Sequence, residues 1–595
     1  MKRIGVDTGG TFTDSVLWDE EKGLLGSAKA SSNKTDPAGA VLAAVTKLDE
    51  AAGDDVRYLI HGTTVATNAT LERSGPRIGM ICTAGFRDVL EIARLTRPPE
   101  EIYDLRAAPQ LPLIRRRDRL EIVERIDVHG EVITPMDESS AVEAARMLAR
   151  RGINSVAVCL LHSYVNSAHE RAVRDILARE IPGANISISS EVLPEFREYE
   201  RSSTTALNAY LAPIVSGYLR RLQQAVTSWS NSARLWVMQS NGGVASAARA
   251  AQLPVTLLLS GPSGGVVAGR HLIDQAGVRN GITIDMGGTS FDVCLLPDRA
   301  IPMTHERHVM DMPVKVPSVD ILTIGAGGGS IGWVDAAGQF RVGPQSAGAT
   351  PGPACYGRGG EEPTVTDANL VLGVLGSTQR LGGDVTLDAD LAHRSCELLG
   401  RKVGMGALEV AWGIRRIVNA AMAGATRAVS VGRGYDPRDF SLIAFGGAGP
   451  MHAVDIAAEL EIPTILVPAV PGCLSAVGLV VSDVTHDYVV THLSPVADKL
   501  EGVLDRQFAD LIRGAHTELA SEGIEEKRHD LFPALDMRYI GEQFSVSVPI
   551  DVSGAGWLAA TTTAFHALHE RLYGFSVPDE PVEVVNIRLR AIGRL

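Results

Sequence analysis

The chain contains 595 residues, 45% hydrophobic and 21% charged, with Lys+Arg 56 against Asp+Glu 70 and a net charge of −14. This length suggests roughly three or four domain-sized units with large cores, and the hydrophobicity excludes a disordered chain. The acidic balance argues against nucleic acid or an anionic membrane as the principal partner.

Met1-Lys2-Arg3 leads directly into the strand-like Ile4-Gly5-Val6, without the apolar segment of a secretion signal. The richest apolar stretch, Val467 to Val481, is too interrupted by Pro and Gly to span a membrane. Cys82, Cys159, Cys294, Cys355, Cys396 and Cys473 have no close pairs. That pattern suits a reducing compartment and supplies no zinc ligand set, so a cytoplasmic location is expected. Residues 4–7, 12–18 and 23–30 read as short antiparallel strands around glycine turns, and 36–52 as a helix opened by Asp36-Pro37. Strands and helices alternate from 56 to 190, including a buried-strand candidate at 156–161. A long amphipathic helix is predicted over 199–224, with Pro213 as a candidate interruption. Strands are predicted at 255–259 and 282–286, and a helix at 408–427. The tail after about residue 490 carries a helix near 498–522 and a strand at 543–550, and is expected to form a small α+β region. These readings divide the chain into 1–190, 191–490 and 491–595.

An internal repeat organises the whole. Asp7-Thr8-Gly9-Gly10-Thr11-Phe12-Thr13-Asp14 matches Asp285-Met286-Gly287-Gly288-Thr289-Ser290-Phe291-Asp292, with Asp, Gly, Gly, Thr and Asp at the same offsets. Each copy lies between two apolar strand-like runs, which predicts two similar β-hairpins in two related halves facing one another. Paired glycines let backbone N–H groups approach an anion closely because no Cβ intervenes, and the hydroxyls of Thr8, Thr11, Thr13 and Thr289 can add donors. The strand-terminal Asp7 and Asp285 are expected to hold a hydrated Mg²⁺, which takes one or two carboxylates plus water and phosphate. Asp14 and Asp292, expected at the far ends of the hairpins, are candidates to orient its waters. A third glycine-rich element follows the predicted strand 441–445: Gly446-Gly447-Ala448-Gly449-Pro450, opening a helix over 451–460. A helix N-terminus bordered by bare glycine backbone suits a nucleotide, with Gly446, Gly447 and Gly449 at its border.

In order and content these elements resemble the actin/sugar-kinase/Hsp70 superfamily: first phosphate hairpin, second phosphate hairpin, adenosine loop. Within it the chain is similar to the hydantoinase A/5-oxoprolinase family, through Asp7–Asp14, His61–Ala69, Glu198–Thr204, Ser260–Gly265, Asp285–Val293, Ile324–Ile331, Gly343–Tyr356, Thr364–Asn369, Gly446–Ala453 and Pro471–Gly478. The resemblance implies a two-lobed α/β fold, ATP and Mg²⁺ as cofactors, and ATP-dependent cleavage of a cyclic amide such as a hydantoin, 5-oxoproline or another lactam. It also implies a hydantoinase B-type partner subunit that completes hydrolysis, within a homo- or hetero-oligomer, with a related ketone-carboxylase subunit as the alternative activity. A nucleotide-driven binding module is the alternative of another class. The family pattern implies a longer tail than the one ending at Leu595, and a fused hydrolytic half is not part of these 595 residues.

Gly261-Pro262-Ser263-Gly264-Gly265 has nucleophile-elbow spacing, but its glycines equally suit a helix N-terminus that receives phosphate. Gly327-Gly328-Gly329-Ser330-Ile331-Gly332 fits a dinucleotide fingerprint by letters, yet strand-turn-strand follows it, which points to a cleft-lining loop. His305/His308 and His566/His569 have no nearby carboxylate–histidine set and read as packing or solvent-facing pairs. His61, Thr63, Thr64 and Asn68, where a strand passes into a helix, are candidates to address the substrate or a terminal phosphate.

Overall fold

The computed structural model describes residues 1–10, 12–33, 36–48, 55–96, 101–106, 111–378, 380–381, 385–497, 499–552, 554 and 556–595. The chain opens with the antiparallel strands β1 (Lys2–Thr8), β2 (Phe12–Asp19) and β3 (Gly23–Ser31). Helix α1 (Pro37–Thr46) follows, started by the Asp36 side chain accepting from the Gly39 N–H. β4 (Val56–Thr63) then returns parallel to β1, and α2 (Val65–Leu71) leaves it. An inserted all-parallel sheet occupies the next stretch, built from β5 (Gly79–Thr83), β6 (Arg119–Ile122), β7 (Ser155–Cys159) and β8 (Asn185–Ile188) in the order β8-β7-β5-β6.

Helix α3 (Glu198–Trp229) runs unbroken through Pro213. A proline there has no N–H for the carbonyl of Ala209, and that carbonyl accepts the Ser155 hydroxyl instead, at 2.6 Å. After α3 come β9 (Arg234–Met238), parallel to β4, and β10 (Val244–Ser246). The strand expected at 255–259 is a 3-10 turn over Pro254–Leu257, and α4 (Ser260–Gln275) begins directly after it. A short apolar run does not distinguish a strand from a buried turn, and here Pro254 sets the turn.

The second half repeats the opening: β11 (Gly281–Met286) and β12 (Phe291–Leu296) form a hairpin, with β13 (Leu322–Ile324) beside β12. α5 (Ala407–Val429) covers the sheet, β14 (Ser441–Phe445) runs parallel to β11, α6 (Gly449–Leu460) follows, and β15 (Thr464–Leu466) runs parallel to β14. The strand order β13-β12-β11-β14-β15 is therefore that of β3-β2-β1-β4-β9, with the same directions at every step. Two lobes of one topology make this the duplicated actin/sugar-kinase/Hsp70-like architecture.

The lobes meet through α4 and α7 (Leu474–Val481). A Cβ at Gly478 would lie 1.8 Å from the Gly264 carbonyl oxygen, and one at Gly5 would lie 2.3 Å from that of Ala476. Backbone rides on backbone at both crossings, which only glycine permits. The tail contributes β16 (Val484–Pro495), α8 (Leu500–Ser521), β17 (His529–Tyr539), β18 (Val546–Pro549), α9 (Trp557–Tyr573) and β19 (Val582–Gly593). Its strands extend the first sheet in the order β18-β17-β19-β16-β10, while α8 and α9 close a small apolar core of their own around Leu504, Phe508, Trp557 and Phe565. Among the described residues no helix is long and apolar enough to cross a membrane.

Candidate functional site

Each hairpin carries, one residue before the end of its first strand, an aspartate directly opposite another: Asp7 pairs with Asp14, and Asp285 with Asp292. Asp14 and Asp292 were expected at the far ends of the hairpins. The register instead makes them cross-strand neighbours of the principal aspartates, with side chains on one face. The two turns are also alike, with Gly9 N–H donating to Phe12 O at 2.9 Å and Gly287 N–H to Ser290 O at 3.1 Å.

The aspartates are held by glycines on the neighbouring parallel strands. A Cβ at Gly62, the β4 partner of Asp7, would lie 2.6 Å from an Asp7 carboxylate oxygen. One at Gly446, just past β14, would lie 2.1 Å from that of Asp285. Gly446 also has φ +83, a left-handed conformation that other residues adopt with strain. These contacts carry the two carboxylates into a common cleft, where burial raises all four, and Asp285 feels Asp292, Asp7 and Asp14. Asp7 rises to about 7, Asp285 to about 8 and Asp292 to about 6. Desolvation is the largest cause in each, followed by like-charge repulsion for Asp7 and Asp285.

Two residues on the third strands distinguish the lobes. Lys29, opposite Asp14 on β3, forms an ion pair with it, and Cys473 Sγ lies 3.7 Å from the same carboxylate. At the matching place on β13, Thr323 donates its hydroxyl to Asp292. One aspartate pair thus has a compensating cation, and the other is met by hydroxyls, those of Thr323 and, at 3.5 Å, Ser290. Sequence reasoning missed both. The pairing of Lys29 with Asp14 follows from hairpin register, which the irregularity between Leu17 and Trp18 shifts by one residue.

The glycines fall into two groups. A Cβ at Gly10, Gly287, Gly288 or Gly447 would meet no atom within 4 Å, so packing does not demand glycine there. Their open faces, with the buried and unpartnered Thr8 Oγ1, are suited to a ligand's oxygen atoms. Gly9 lies 3.2 Å, by its added Cβ, from the Phe12 carbonyl, and Gly449 is buried against Met286; both serve the local chain path. Thr289 is exposed on the second turn. Thr11 lies outside the described residues. Thr13, expected among the phosphate donors, is buried with its hydroxyl 3.1 Å from that of Ser32, which donates to Gly9 O at 2.8 Å. It braces the first turn. The second turn is braced by the glycine run expected as a cleft-lining loop: Gly328 N–H donates to Gly287 O at 3.0 Å and Gly329 N–H to Gly288 O at 2.7 Å.

His61, proposed from sequence as a substrate contact, is a core residue with no exposed surface. Its Nδ1–H donates to Val6 O at 3.1 Å, so Nε2 accepts from the Tyr218 hydroxyl at 2.7 Å. Burial lowers it to about 4 and keeps it neutral. Thr63 is also buried and accepts from Val65 N–H. Thr64 and Asn68 are only half-buried and remain at the cleft edge, with Asn68 donating to Thr64 Oγ1 at 3.2 Å. Ser263 is no exposed nucleophile: it lies buried in the first turns of α4 and donates to Ser240 O at 3.1 Å.

Among the described residues no three His, Cys, Asp or Glu side chains are grouped tightly enough to hold a metal by themselves. The donor set still fits Mg²⁺, which keeps several waters and binds through one or two carboxylates together with phosphate oxygens. Crowded, partly desolvated aspartates with one lysine among them leave negative charge that such a cation would neutralise.

A duplicated hairpin architecture with paired aspartates at an interlobe cleft is the actin/sugar-kinase/Hsp70-like fold. Residues 3–181 match the hydantoinase/oxoprolinase N-terminal region and residues 201–488 the hydantoinase/oxoprolinase family. The chain is 36% identical to the caprolactamase subunit alpha of Pseudomonas jessenii, over 100% of this chain and 87% of that one. It is 32% identical to the 5-oxoprolinase of Saccharomyces cerevisiae, over 100% of this chain but only 49% of the yeast protein. The crystal structure of ATP-dependent caprolactamase from Pseudomonas jessenii superposes with TM-score 0.88 at 34% identity, covering 100% of this chain and 88% of that one. Nucleotide-free acetone carboxylase superposes with TM-score 0.80 at 26% identity, again covering 100% and 88%. The chain belongs to the hydantoinase/oxoprolinase family.

Proposed function

We propose that this chain is the ATP-using component of an enzyme that hydrolyses a cyclic amide, and that it binds ATP·Mg²⁺ between its lobes. The observation that carries this reading is the pair of matched aspartate couples converging on one cleft, each beside an open glycine turn. Asp7 and Asp285 would hold the cation through its waters, with Asp14 and Asp292 orienting those waters. The backbone N–H groups of Gly10, Gly287 and Gly288 would meet phosphate oxygens, and Gly446 and Gly447 would border the adenosine. When bound, Mg²⁺ supplies charge neutralisation at the transferring phosphoryl group. Lys29 opposes the rise that burial imposes on Asp14 and places positive charge beside the cleft, and the lobes bring the two reactants together.

An amide carbon is a poor electrophile. In the proposed step the amide oxygen attacks the terminal phosphorus of ATP, the β–γ bridging P–O bond breaks and ADP departs. Water then adds to the O-phosphorylated amide carbon and the C–N bond breaks with protonation of the nitrogen, opening the ring to an acyl phosphate, which a second water cleaves to the carboxylate and inorganic phosphate. A hydantoinase B-type partner would complete hydrolysis; the caprolactamase relative is itself named as a subunit. Six free thiols agree with a reducing cytoplasm.

The likeness to acetone carboxylase supports a second reading in which a ketone or its enolate receives the phosphoryl group. The test is ATP hydrolysis measured with hydantoin, 5-oxoproline, lactams and acetone, with and without a partner subunit. Stimulation by a ring amide is expected; stimulation by ketones alone selects the second reading, and indifference to every small molecule removes both.

A further inference from the structure

Residues 324–331, 364–369 and 446–453 are far apart in the sequence, yet a line of hydrogen bonds joins them. It starts at the second glycine turn. Gly287 O accepts from Gly328 N–H at 3.0 Å, and Gly328 O accepts from both the N–H and the hydroxyl of Thr366, each at 2.8 Å. Thr366 stands in the first turn of the short helix Val365–Val371. That turn is held firmly, because the buried Asp367 carboxylate takes donors from Thr364 N–H at 2.9 Å, the Thr364 hydroxyl at 2.7 Å and Cys355 N–H at 2.7 Å. Three residues after Thr366 comes Asn369.

Asn369 belongs to a closed ring of five side chains drawn from this helix, α5 and α6. Its Oδ1 accepts from Arg415 Nη1 at 2.8 Å, and its Nδ2 donates to His452 Nε2 at 3.0 Å. His452 Nδ1–H donates to Asn419 Oδ1 at 2.6 Å, and Asn419 Nδ2 donates to Asp455 Oδ2 at 2.8 Å. Arg415 closes the ring on that same oxygen, through Nε at 3.0 Å and Nη2 at 2.7 Å. Every direction is forced. Arginine only donates and a carboxylate only accepts, so Asn369 must turn its oxygen to Arg415 and its NH₂ to His452, whose Nε2 must then carry no proton. All members but Asp455 are buried. Burial, with Arg415 beside it, lowers His452 to about 4, so the neutral imidazole that the ring requires is the form present at neutral pH. The ring cannot slide without leaving a buried donor or acceptor unmet.

Met451, His452 and Asp455 lie in the first two turns of α6, the helix that the 446–449 glycine run opens, and Arg415 Nη2 also donates to Met451 O at 2.7 Å. The root of that loop is tied to β11 separately, with Ala448 N–H donating to Met286 O at 2.9 Å. One attachment leaves a helix free to swing about it; the ring supplies a second and fixes the direction. We infer that Asn369 is a positioning residue for the nucleotide: it holds the second glycine turn and the start of α6 at a fixed separation, so that one molecule meets both at once. A ligand whose two ends find aligned subsites gains from their effective concentration, whereas a ligand that reaches only one end gains nothing. The inference rests on the functional reading above and adds how the phosphate and adenosine subsites are made to act together.

The test compares MgATP with magnesium tripolyphosphate, which carries the phosphates alone, each titrated calorimetrically into the full chain. Asn369→Leu keeps the size of the side chain and removes both of its hydrogen bonds. MgATP affinity should fall about tenfold or more, while tripolyphosphate affinity stays within about twofold. Thr366→Val removes only the hydroxyl bond to Gly328 O and should weaken MgATP about threefold, again sparing tripolyphosphate. Melting temperatures report whether each variant is folded, and Thr366→Val decides if Asn369→Leu alone fails to fold. A purely structural brace would weaken both ligands alike. Equal weakening, wild-type MgATP affinity in folded Asn369→Leu, or unfolding of both variants overturns the inference, and the functional reading stands as long as the wild-type chain binds MgATP. A wild-type chain that binds no MgATP removes the functional reading and this inference with it.

Discussion

Replacing Asp285 by Asn should make the metal-free protein more stable while abolishing turnover. Asp285 rises from its ordinary 3.8 to about 8, first because burial strips water from the carboxylate and then because Asp292, Asp7 and Asp14 repel it. In the folded state it therefore holds its proton over a range in which the unfolded chain has lost it. The folded state binds more protons between about pH 4 and pH 8, so metal-free stability falls as pH rises through that window and levels off above it. A rise of this size corresponds to about 5 kcal/mol at pH 8 in a rigid, dry site. Asp285 is only half-buried as a residue, and water at the cleft mouth reduces the expected gain from the Asn variant to about 2 kcal/mol. The assay is thermal and denaturant unfolding of wild type and Asp285→Asn at pH 5.5 and pH 8, with and without MgATP. The variant should melt a few degrees higher at pH 8 without ligand, lose much of the pH slope, and gain little from MgATP. Its ATP-dependent turnover should fall by about three orders of magnitude. A variant less stable than wild type at pH 8, with an unchanged pH slope, would refute the proposed repulsion; undiminished turnover would refute the cation-holding role.

Gly446→Ala should place a methyl group 2.1 Å from the Asp285 carboxylate at a residue with φ +83, and MgATP affinity measured by titration should drop at least about tenfold. Lys29→Met removes the cation paired with Asp14; kcat/KM for ATP should fall by about one to two orders of magnitude, and Lys29→Arg should recover part of it. Gly478→Val forces side-chain atoms into the Gly264 carbonyl at the α4–α7 crossing, and soluble yield and melting temperature should both collapse, at a cost above about 3 kcal/mol. Ser263→Ala should retain turnover within about threefold, because its hydroxyl bonds only to the backbone carbonyls of Ser240 and Leu259; complete loss of activity with the fold intact would revive a serine nucleophile.

The residues at 7–14 and 285–292 by themselves announce the repeat, the two hairpins and the glycine turns, because turn chemistry and strand alternation are local properties of a few consecutive residues. The same holds for α1, whose Asp36-Pro37 start is readable as a cap, and for the run from the 441–445 strand into the glycine-opened helix. What local chemistry does not contain is which residues meet. His61 stands in the same motif as Thr64, yet β4 turns it into the core toward Tyr218 while Thr64 stays at the cleft edge. The apolar run at 255–259 reads equally as strand or turn, because nothing in it specifies whether a neighbouring strand is available. Pro213 is tolerated only because Ser155, distant in sequence, satisfies the carbonyl it orphans. Lys29 reaches Asp14 through a register set by a bulge, and Gly62 and Gly446 matter only as the surfaces over which Asp7 and Asp285 lean. Electrostatics is the extreme case: the raised proton affinity of Asp285 depends on charges whose sequence positions are remote, and Coulomb forces act through space rather than along the chain.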